Sequence, residues 1–380
     1  MGSLSPALRT VRVSATQLPI GQIGTSSASY GRRFFHESNK DKAVEAVAAH
    51  HAIPHHFIPP PTLPKHEKIP DSRQLQVGSH MFKPSFYQAV AEVMKLRERY
   101  LRERAIFVRS KDMLPILLGL GAHEADVASL AFVSDSLEDD PTLPFRKSRN
   151  SRFCLDFGTQ TVRRLEYQPF MLSEDEDFKR HDSGKLRHFN EVQNDLQLNS
   201  VFQALLVFKA MVINGISIKL RPNLDYSKNQ WVCTLFNLRT ITTPDILGEP
   251  ALEGVHSDGV DHTMTTFLGS TNMTSNSGAT FIHDMDETTG ISLRETSPHN
   301  ILGRIRHSSL LDTLVVVDHE RKHSLTAVYP EDKSRVATRD MLIFFTRRPY
   351  SSTHVAASMD SLRSHLQLPM EVPLFDPSRR

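Results

Sequence analysis

Three stretches of apolar residues at helical spacing precede a long run of short, strand-like segments. Behind Pro84, the residues Phe86, Ala89, Val90, Val93, Leu96 and Tyr100 repeat every three or four positions, and Ser85 with Gln88 has the pattern of a capping box, so a helix is predicted there. A second helical stretch covers 111–134, interrupted near Gly119 and Gly121. A third starts at Ser200 with Gln203, continues through Val201, Leu205, Phe208 and Val212, and stops at Gly215. Such stripes are the faces that helices bury, not cofactor sites. From Trp231 the texture changes. Segments 231–243, 263–268, 279–282, 311–317, 324–329 and 341–346 are rich in β-branched and apolar residues, and Gly, Asn, Asp and Pro clusters separate them. Strands without intervening helices predict an antiparallel sandwich or barrel rather than a βαβ fold. Neither a nucleotide-binding glycine loop nor an internal repeat interrupts this pattern.

Composition narrows the setting. The 380 residues include 39% hydrophobic and 23% charged side chains, enough for one large domain with extensions. Lys and Arg number 45 against 43 Asp and Glu, so overall charge gives no reason to expect nucleic acid or a membrane as partner. No stretch approaches the ~18 apolar residues that a membrane span requires. Cys154 and Cys233 are too few and too isolated for a disulfide framework, which favours a reducing, cytoplasmic location. The first 36 residues hold Arg9, Arg12, Arg32 and Arg33 but no acid. They read as a weakly basic tail, with an organellar transit peptide as the alternative. His50, His51, His55 and His56, followed by Pro59, Pro60, Pro61 and Pro64, read as a solvated linker. Nothing in the pattern fixes an oligomeric state.

Candidate chemistry lies in Glu253-Gly254-Val255-His256-Ser257-Asp258-Gly259. In an extended segment residues i and i+2 share a face, so His256 and Asp258 can aim an imidazole nitrogen and a carboxylate oxygen at one point. Gly259 lets the chain turn away beside it. A second histidine from a distant strand would complete the 2-His-1-carboxylate set that holds Fe(II) in oxygenases and leaves positions open for a co-substrate and dioxygen. His323, at the head of the segment Ser324-Leu325-Thr326-Ala327-Val328, is the preferred third ligand, and His319 competes with it. His262, His283 and His299 read as structural or solvent-facing. Arg339 precedes Asp340-Met341-Leu342-Ile343-Phe344-Phe345 and suits a two-pronged ion pair with the distal carboxylate of 2-oxoglutarate. If Arg339 points inward, period-2 alternation sends Met341, Ile343 and Phe345 inward too, while Leu342 and Phe344 face another layer. Ile343 and Phe345 are then candidates for an apolar substrate wall.

The runs EGVHSDG, GAT-F after Asn276-Ser277, KHSLTAV and RDMLIFF resemble those of the 2-oxoglutarate-Fe dioxygenases that oxidise free amino acids, such as the bacterial isoleucine dioxygenases. The likeness spans about 146–348, including 149–157 and the polar stretch through Arg187. It implies an α+β, mainly β fold: a double-stranded β-helix (jelly roll, cupin-like) flanked by helices, with strands mainly over 229–348. It implies Fe(II), 2-oxoglutarate and dioxygen as cofactors and co-substrates, His256, Asp258 and His323 as metal ligands, and Arg339 as the co-substrate anchor. Halogenating relatives lack the carboxylate, so Asp258 argues against halogenation. The extension before residue 80 departs from the short bacterial enzymes. The organisation expected is an extension over 1–80, a dioxygenase domain over 81–350 and a tail over 351–380. Within the family the chain is similar to fungal oxygenases that form an aziridine amino acid from L-valine in quinazoline-alkaloid biosynthesis. The expected substrate is therefore a small aliphatic L-amino acid, L-valine foremost, a small-molecule partner with no nucleic acid or membrane beside it; the alternatives are hydroxylation of a free aliphatic amino acid and oxidation of a carrier-tethered substrate.

Overall fold

The computed structural model describes Leu75, residues 77–171 and residues 183–376. The basic tail, the four clustered histidines and the proline run lie outside the described residues. The chain divides after His66, and every described residue belongs to the second unit, Glu67–Arg380. Its helices are α1 (Val77–His80), α2 (Pro84–Glu103), α3 (Ser110–Gly119), α4 (Ala125–Leu130), α5 (Asn194–Gln197) and α6 (Ser200–Ile213). Its strands are β1 (Ala105–Val108), β2 (Arg146–Asp156), β3 (Thr161–Leu165), β4 (Asn190–Glu191), β5 (Gln230–Thr242), β6 (His262–Thr271), β7 (Ala279–His283), β8 (Ile301–Arg306), β9 (Thr313–Val317), β10 (Lys322–Leu325), β11 (Ala337–Arg347) and β12 (Glu371–Pro373).

The helices form where the stripes predict them, but their ends differ. Pro84, lacking an N–H, takes the first turn of α2, so Lys83 is the N-cap and the Ser85/Gln88 capping box does not form. The segment 111–134 yields two helices, α3 ending at Gly119 and α4 starting at Ala125, so the interruption falls where the glycines predict it. At α6 the cap is Asn199, whose side chain accepts from the N–H groups of Val201 and Phe202. Gln203 instead donates to the carbonyl of Gln197 and accepts from the N–H of Leu75. All fourteen residues of α6 are buried, as expected of a helix that is apolar on nearly every side.

Nine strands form one large sheet in the order β1-β9-β6-β11-β5-β2-β3-β12, with β4 parallel beside β2; the other pairings are antiparallel. A second sheet has the order β10-β7-β8. One face of the large sheet packs on the helices. Leu342 and Phe344 point to that side and join α6 in the main core, with the Phe344 ring stacked on Phe202 at 6.1 Å. The small sheet covers part of the other face, where Ile282 packs on Leu314 and Val316. Two antiparallel sheets closing on each other in this way make the jelly roll, here flanked by helices. Among the described residues no helix is long and apolar enough to cross a membrane.

Candidate active site

A cavity of about 200 Å³ opens between the two sheets. Its floor is the inward face of the large sheet, and register places the lining residues in rows across the strands. One row runs Val316, Thr263, Phe345, Thr234, Arg152; the next runs Leu314, Thr265, Ile343, Phe236, Asn150. Arg339, Met341, Ile343 and Phe345 all line the cavity from β11.

His256 and His323 face each other as a backbone pair. The N–H of each donates to the carbonyl of the other, at 2.9 and 2.8 Å, which ties the loop before β6 to β10. Asp258 lies between their rings, with Oδ1 3.5 Å from His256 Nε2 and Oδ2 3.5 Å from His323 Nε2. One donor atom from each residue lies within 4.8 Å of the other two. His319 does not join them: it sits in a 3₁₀ turn, Asp318–Glu320, and its Nε2 contacts the carbonyl of Lys219. His262 is buried and bonds the Tyr100 hydroxyl at 2.8 Å, His283 bonds Ser324, and His299 is exposed.

Outer contacts fix the three side chains. His256 Nδ1 lies 2.9 Å from the carbonyl of Gly254, so that nitrogen carries a proton and Nε2 is the ring atom turned toward Asp258. Gly254 has φ +70°, and a Cβ there would strike the carbonyl of Ile291. The Thr263 hydroxyl donates to Asp258 Oδ2 at 2.7 Å. Asp318, wholly buried, accepts from the N–H groups of Asp258 and Val260 and so holds the turn. Its carboxyl is raised to about 7 by burial and then by the charge of Asp258.

The electrostatics suit a cation. Burial alone would push the Asp258 carboxyl up, yet the flanking imidazoles of His323 and His256 hold it well below the usual carboxylate range. Burial also opposes charge on His256, but the hydrogen bond and charge of Asp258 outweigh it and raise that imidazole to about 9. A proton held there is one that a dication would replace. Two imidazoles and a carboxylate converging from three directions fit Fe(II) as donor set and as charge.

Arg339 is 3% exposed, and among the described residues its Nε has no hydrogen-bond partner. The adjacent Asp340 is taken by Arg239 through two 2.7 Å hydrogen bonds. Burial lowers the Arg339 guanidinium to about 10, with Asp340 opposing. An interior cation with an unfilled donor fits an anionic group brought by a small molecule, here the distal carboxylate of 2-oxoglutarate. Two neighbours, Gly278 and His307, carry no signal in the local sequence pattern. Gly278 packs against the Arg339 side chain, and a Cβ there would lie 2.5 Å from Nε. His307 Nε2 lies 3.2 Å from the hydroxyl of cavity-lining Thr265. Burial, and then the charge of Arg339, push His307 down to about 3, so it stays neutral.

Residues 131–345 match the family described as 2OG-Fe dioxygenase. A solved structure titled as the Fe(II)/(alpha)ketoglutarate-dependent dioxygenase TqaL is 55% identical, with a TM-score of 0.68, over 78% of this chain and 99% of that one. The bifunctional enzyme flvA of Aspergillus flavus is 48% identical over 301 residues, which are 79% of this chain and 37% of that protein. The chain therefore spans little more than a third of that curated relative. A BsmA homologue from Methylobium petroleophilum shares the fold at 18% identity and TM-score 0.55, over 69% of this chain and 96% of that one. The chain belongs to the 2OG-Fe dioxygenase family and is an oxidoreductase that depends on Fe(II), 2-oxoglutarate and dioxygen.

Proposed function

We propose that the enzyme oxidises a free small aliphatic L-amino acid, L-valine first, at its β-carbon, and closes the amine onto that carbon to give an aziridine-2-carboxylate. His256, Asp258 and His323 hold the iron, and Arg339 holds 2-oxoglutarate. The observation that carries this reading is the convergence of the three donor groups in one cavity with a buried, unsatisfied arginine and an apolar wall. When bound, Fe(II) with 2-oxoglutarate and dioxygen supplies an oxidant strong enough for an unactivated C–H bond, leaving succinate and carbon dioxide as co-products.

The protein's own part is placement. Thr263 fixes one Asp258 oxygen, and Gly254 fixes the His256 tautomer, so both donors are set before the metal arrives. Arg339 orients the co-substrate by its far end. Ile343 and Phe345, with Phe236 5.8 Å from the Phe345 ring, form a wall shaped for a branched aliphatic side chain. Their bulk limits which hydrogen the substrate presents to the oxidant.

Anaerobic addition of Fe(II) and 2-oxoglutarate should produce the weak visible charge-transfer band of the chelate. Loss of the band in Asp258→Ala and in Arg339→Ala supports the site; a band that survives both overturns it. With air admitted, succinate formation should depend on valine. A product two hydrogens lighter than valine supports ring closure, and a product one oxygen heavier shows hydroxylation instead.

A further inference from the structure

Asn150 carries a buried amide whose donors and acceptor are unanswered. The residue is 2% exposed and lines the cavity from β2, and among the described residues neither end of its side-chain amide has a hydrogen-bond partner. Thr234, on the neighbouring β5, is half-buried and lines the same cavity, and among the described residues its hydroxyl also makes no hydrogen bond. The arginines of this wall already have partners. Arg152 donates to Gln168 Oε1 at 2.6 Å, to the carbonyl of Ser361 at 3.0 Å and to Asp360 at 2.7 Å, and Arg347 donates to Asp360 at 2.9 Å. Arg146 is paired with buried Asp140 at 2.7 Å.

Leaving a buried amide unpaired is costly, so the polar group that completes Asn150 comes from a molecule in the cavity. Register says which molecule. Asn150 ends the row Ile343, Phe236, Asn150, two strand spacings or about 9–10 Å from Ile343 at the backbone. Arg339 stands four residues along β11 from Ile343, about 13 Å away, in the row of Thr240 and Arg146. Asn150 therefore sits beside the apolar wall and away from the co-substrate anchor. Thr234 is its diagonal neighbour, because Asn150 pairs with Phe236 and Thr234 lies two residues earlier on β5. The two side chains start about 7–8 Å apart, a span that one carboxylate bridges with a hydrogen bond at each oxygen.

An amide presents a donor and an acceptor side by side. The head of a free α-amino acid offers the complement, a carboxylate oxygen and an amine on adjacent carbons. We propose that Asn150 binds this head group, Nδ2 donating to one carboxylate oxygen and Oδ1 accepting from the amine, while the Thr234 hydroxyl donates to the second carboxylate oxygen. The inference rests on the amino-acid reading above and sharpens it by naming the residues that select the head group. It also sets the pose: the head lies over β2 and β5, the side chain runs along Phe236, Ile343 and Phe345 toward the triad, and an amine held at Oδ1 is kept off the metal.

The test is calorimetry on the anaerobic Fe(II) and 2-oxoglutarate complex of the full chain, with three probes. These are L-valine, isovalerate, which lacks the amine, and isobutylamine, which lacks the carboxylate. In the parent protein each truncated probe should bind at least about tenfold more weakly than valine. Asn150→Ala should weaken valine by about tenfold or more and narrow its lead over both truncated probes, while the visible band persists. Asn150→Asp keeps the acceptor and replaces the donor with a second acceptor, so it should weaken valine and isovalerate yet hold isobutylamine at least as well as the parent. Thr234→Val should weaken valine and isovalerate by a similar factor and leave isobutylamine unchanged. An Asn150→Ala protein with the parent's affinity for valine overturns the proposal, and so does an Asn150→Asp protein that weakens all three probes equally. In either case valine binding by the parent leaves the amino-acid reading standing. A parent that shows the band but has no affinity for valine would remove that reading and this inference together.

Discussion

The two faces of the large sheet are built from the same strands and do opposite work. On the helix side, Leu342 and Phe344 of β11, Cys233 and Leu235 of β5, and Met264 and Leu268 of β6 pack against α6 in a closed apolar core. One residue along each strand, Ile343, Phe345, Thr234, Phe236, Thr263 and Thr265 face the cavity with Arg152 and Arg339. Because side chains alternate, one stretch of chain can carry stability on one face and chemistry on the other. The difference is one of satisfaction. The helix face leaves few polar atoms to be matched, whereas the cavity face gathers the donor groups of His256, Asp258 and His323 and keeps Arg339 Nε without a partner among the described residues.

The sharpest separation should come from Asp258→Ala. Removing one of three donors should cost at least the roughly 100-fold in iron affinity that even an outer partner can cost, and turnover should fall to background. Anaerobic metal titration measures the first and succinate release the second. Iron binding in the unaltered protein should also depend on pH. His256 holds its proton up to about 9, so the metal must displace it. Apparent affinity should rise by about tenfold per pH unit between pH 6 and 8 and level off above about 9. A flat profile would mean that His256 is not displaced, and would take the metal away from it.

Adjacent phenylalanines test the two faces directly. Phe344 is fully buried and Phe345 only partly. Phe344→Ala should destabilise by about 3–5 kcal/mol, the usual cost of a cavity in a closed core. Phe345→Ala removes the same atoms beside an existing cavity, so it should cost clearly less and act instead on the proportion of ring-closed to hydroxylated product. Denaturant unfolding and product mass spectra give both numbers. Similar losses of stability in the two variants would abolish the distinction.

How much of this was legible depended on which face a residue serves. The alternation in β11 was readable because its outward residues are apolar and its inward ones mostly so. The spacing of His256 and Asp258 was readable because an extended segment places i and i+2 together. β2 was not read as a strand: Arg146, Asn150 and Arg152 line the cavity, and their polarity hides the pattern that Phe153 and Leu155 would otherwise show. The Arg152, Arg347 and Asp360 cluster, the pairing of His307 with Thr265, and the fit of Gly278 against Arg339 join residues far apart in sequence. No local period encodes such contacts.

Lys209 is the exception on the helix face. It is fully buried in α6 and donates to the carbonyl of Phe344 at 2.6 Å. Burial lowers it from 10.5 to about 8, with Cys233 and Asp258 opposing. Between those two values the unfolded chain keeps a proton that the folded one has released, so folding gains stability as pH rises from about 8 to 10.5. Below about 8 the full cost of the buried ammonium, about 3 kcal/mol, is present. Lys209→Met should remove that difference, so the gap between variant and parent unfolding free energies should narrow across this range. A gap independent of pH would show that Lys209 keeps an ordinary affinity for its proton.

Gly278→Ala should have the smallest effect, and it joins the two kinds of cost. The residue has φ +56°, where a side chain costs about 1–2 kcal/mol in the backbone alone. The added methyl would also press on Arg339 Nε and Cδ, 2.5 and 2.7 Å away, so the guanidinium must shift. Among the described residues the acid beside Arg339 in the chain, Asp340, is bound to Arg239 and does not hold the guanidinium in a new place. The shift should therefore appear as a rise in KM for 2-oxoglutarate of about tenfold, the equivalent of one weakened charge-assisted hydrogen bond, with KM for the amino acid little changed. Steady-state kinetics at saturating amino acid measure it. If stability fell by the backbone cost while KM for 2-oxoglutarate stayed put, Gly278 would serve only the turn, and the anion would not be bound through the edge of Arg339 that this glycine faces.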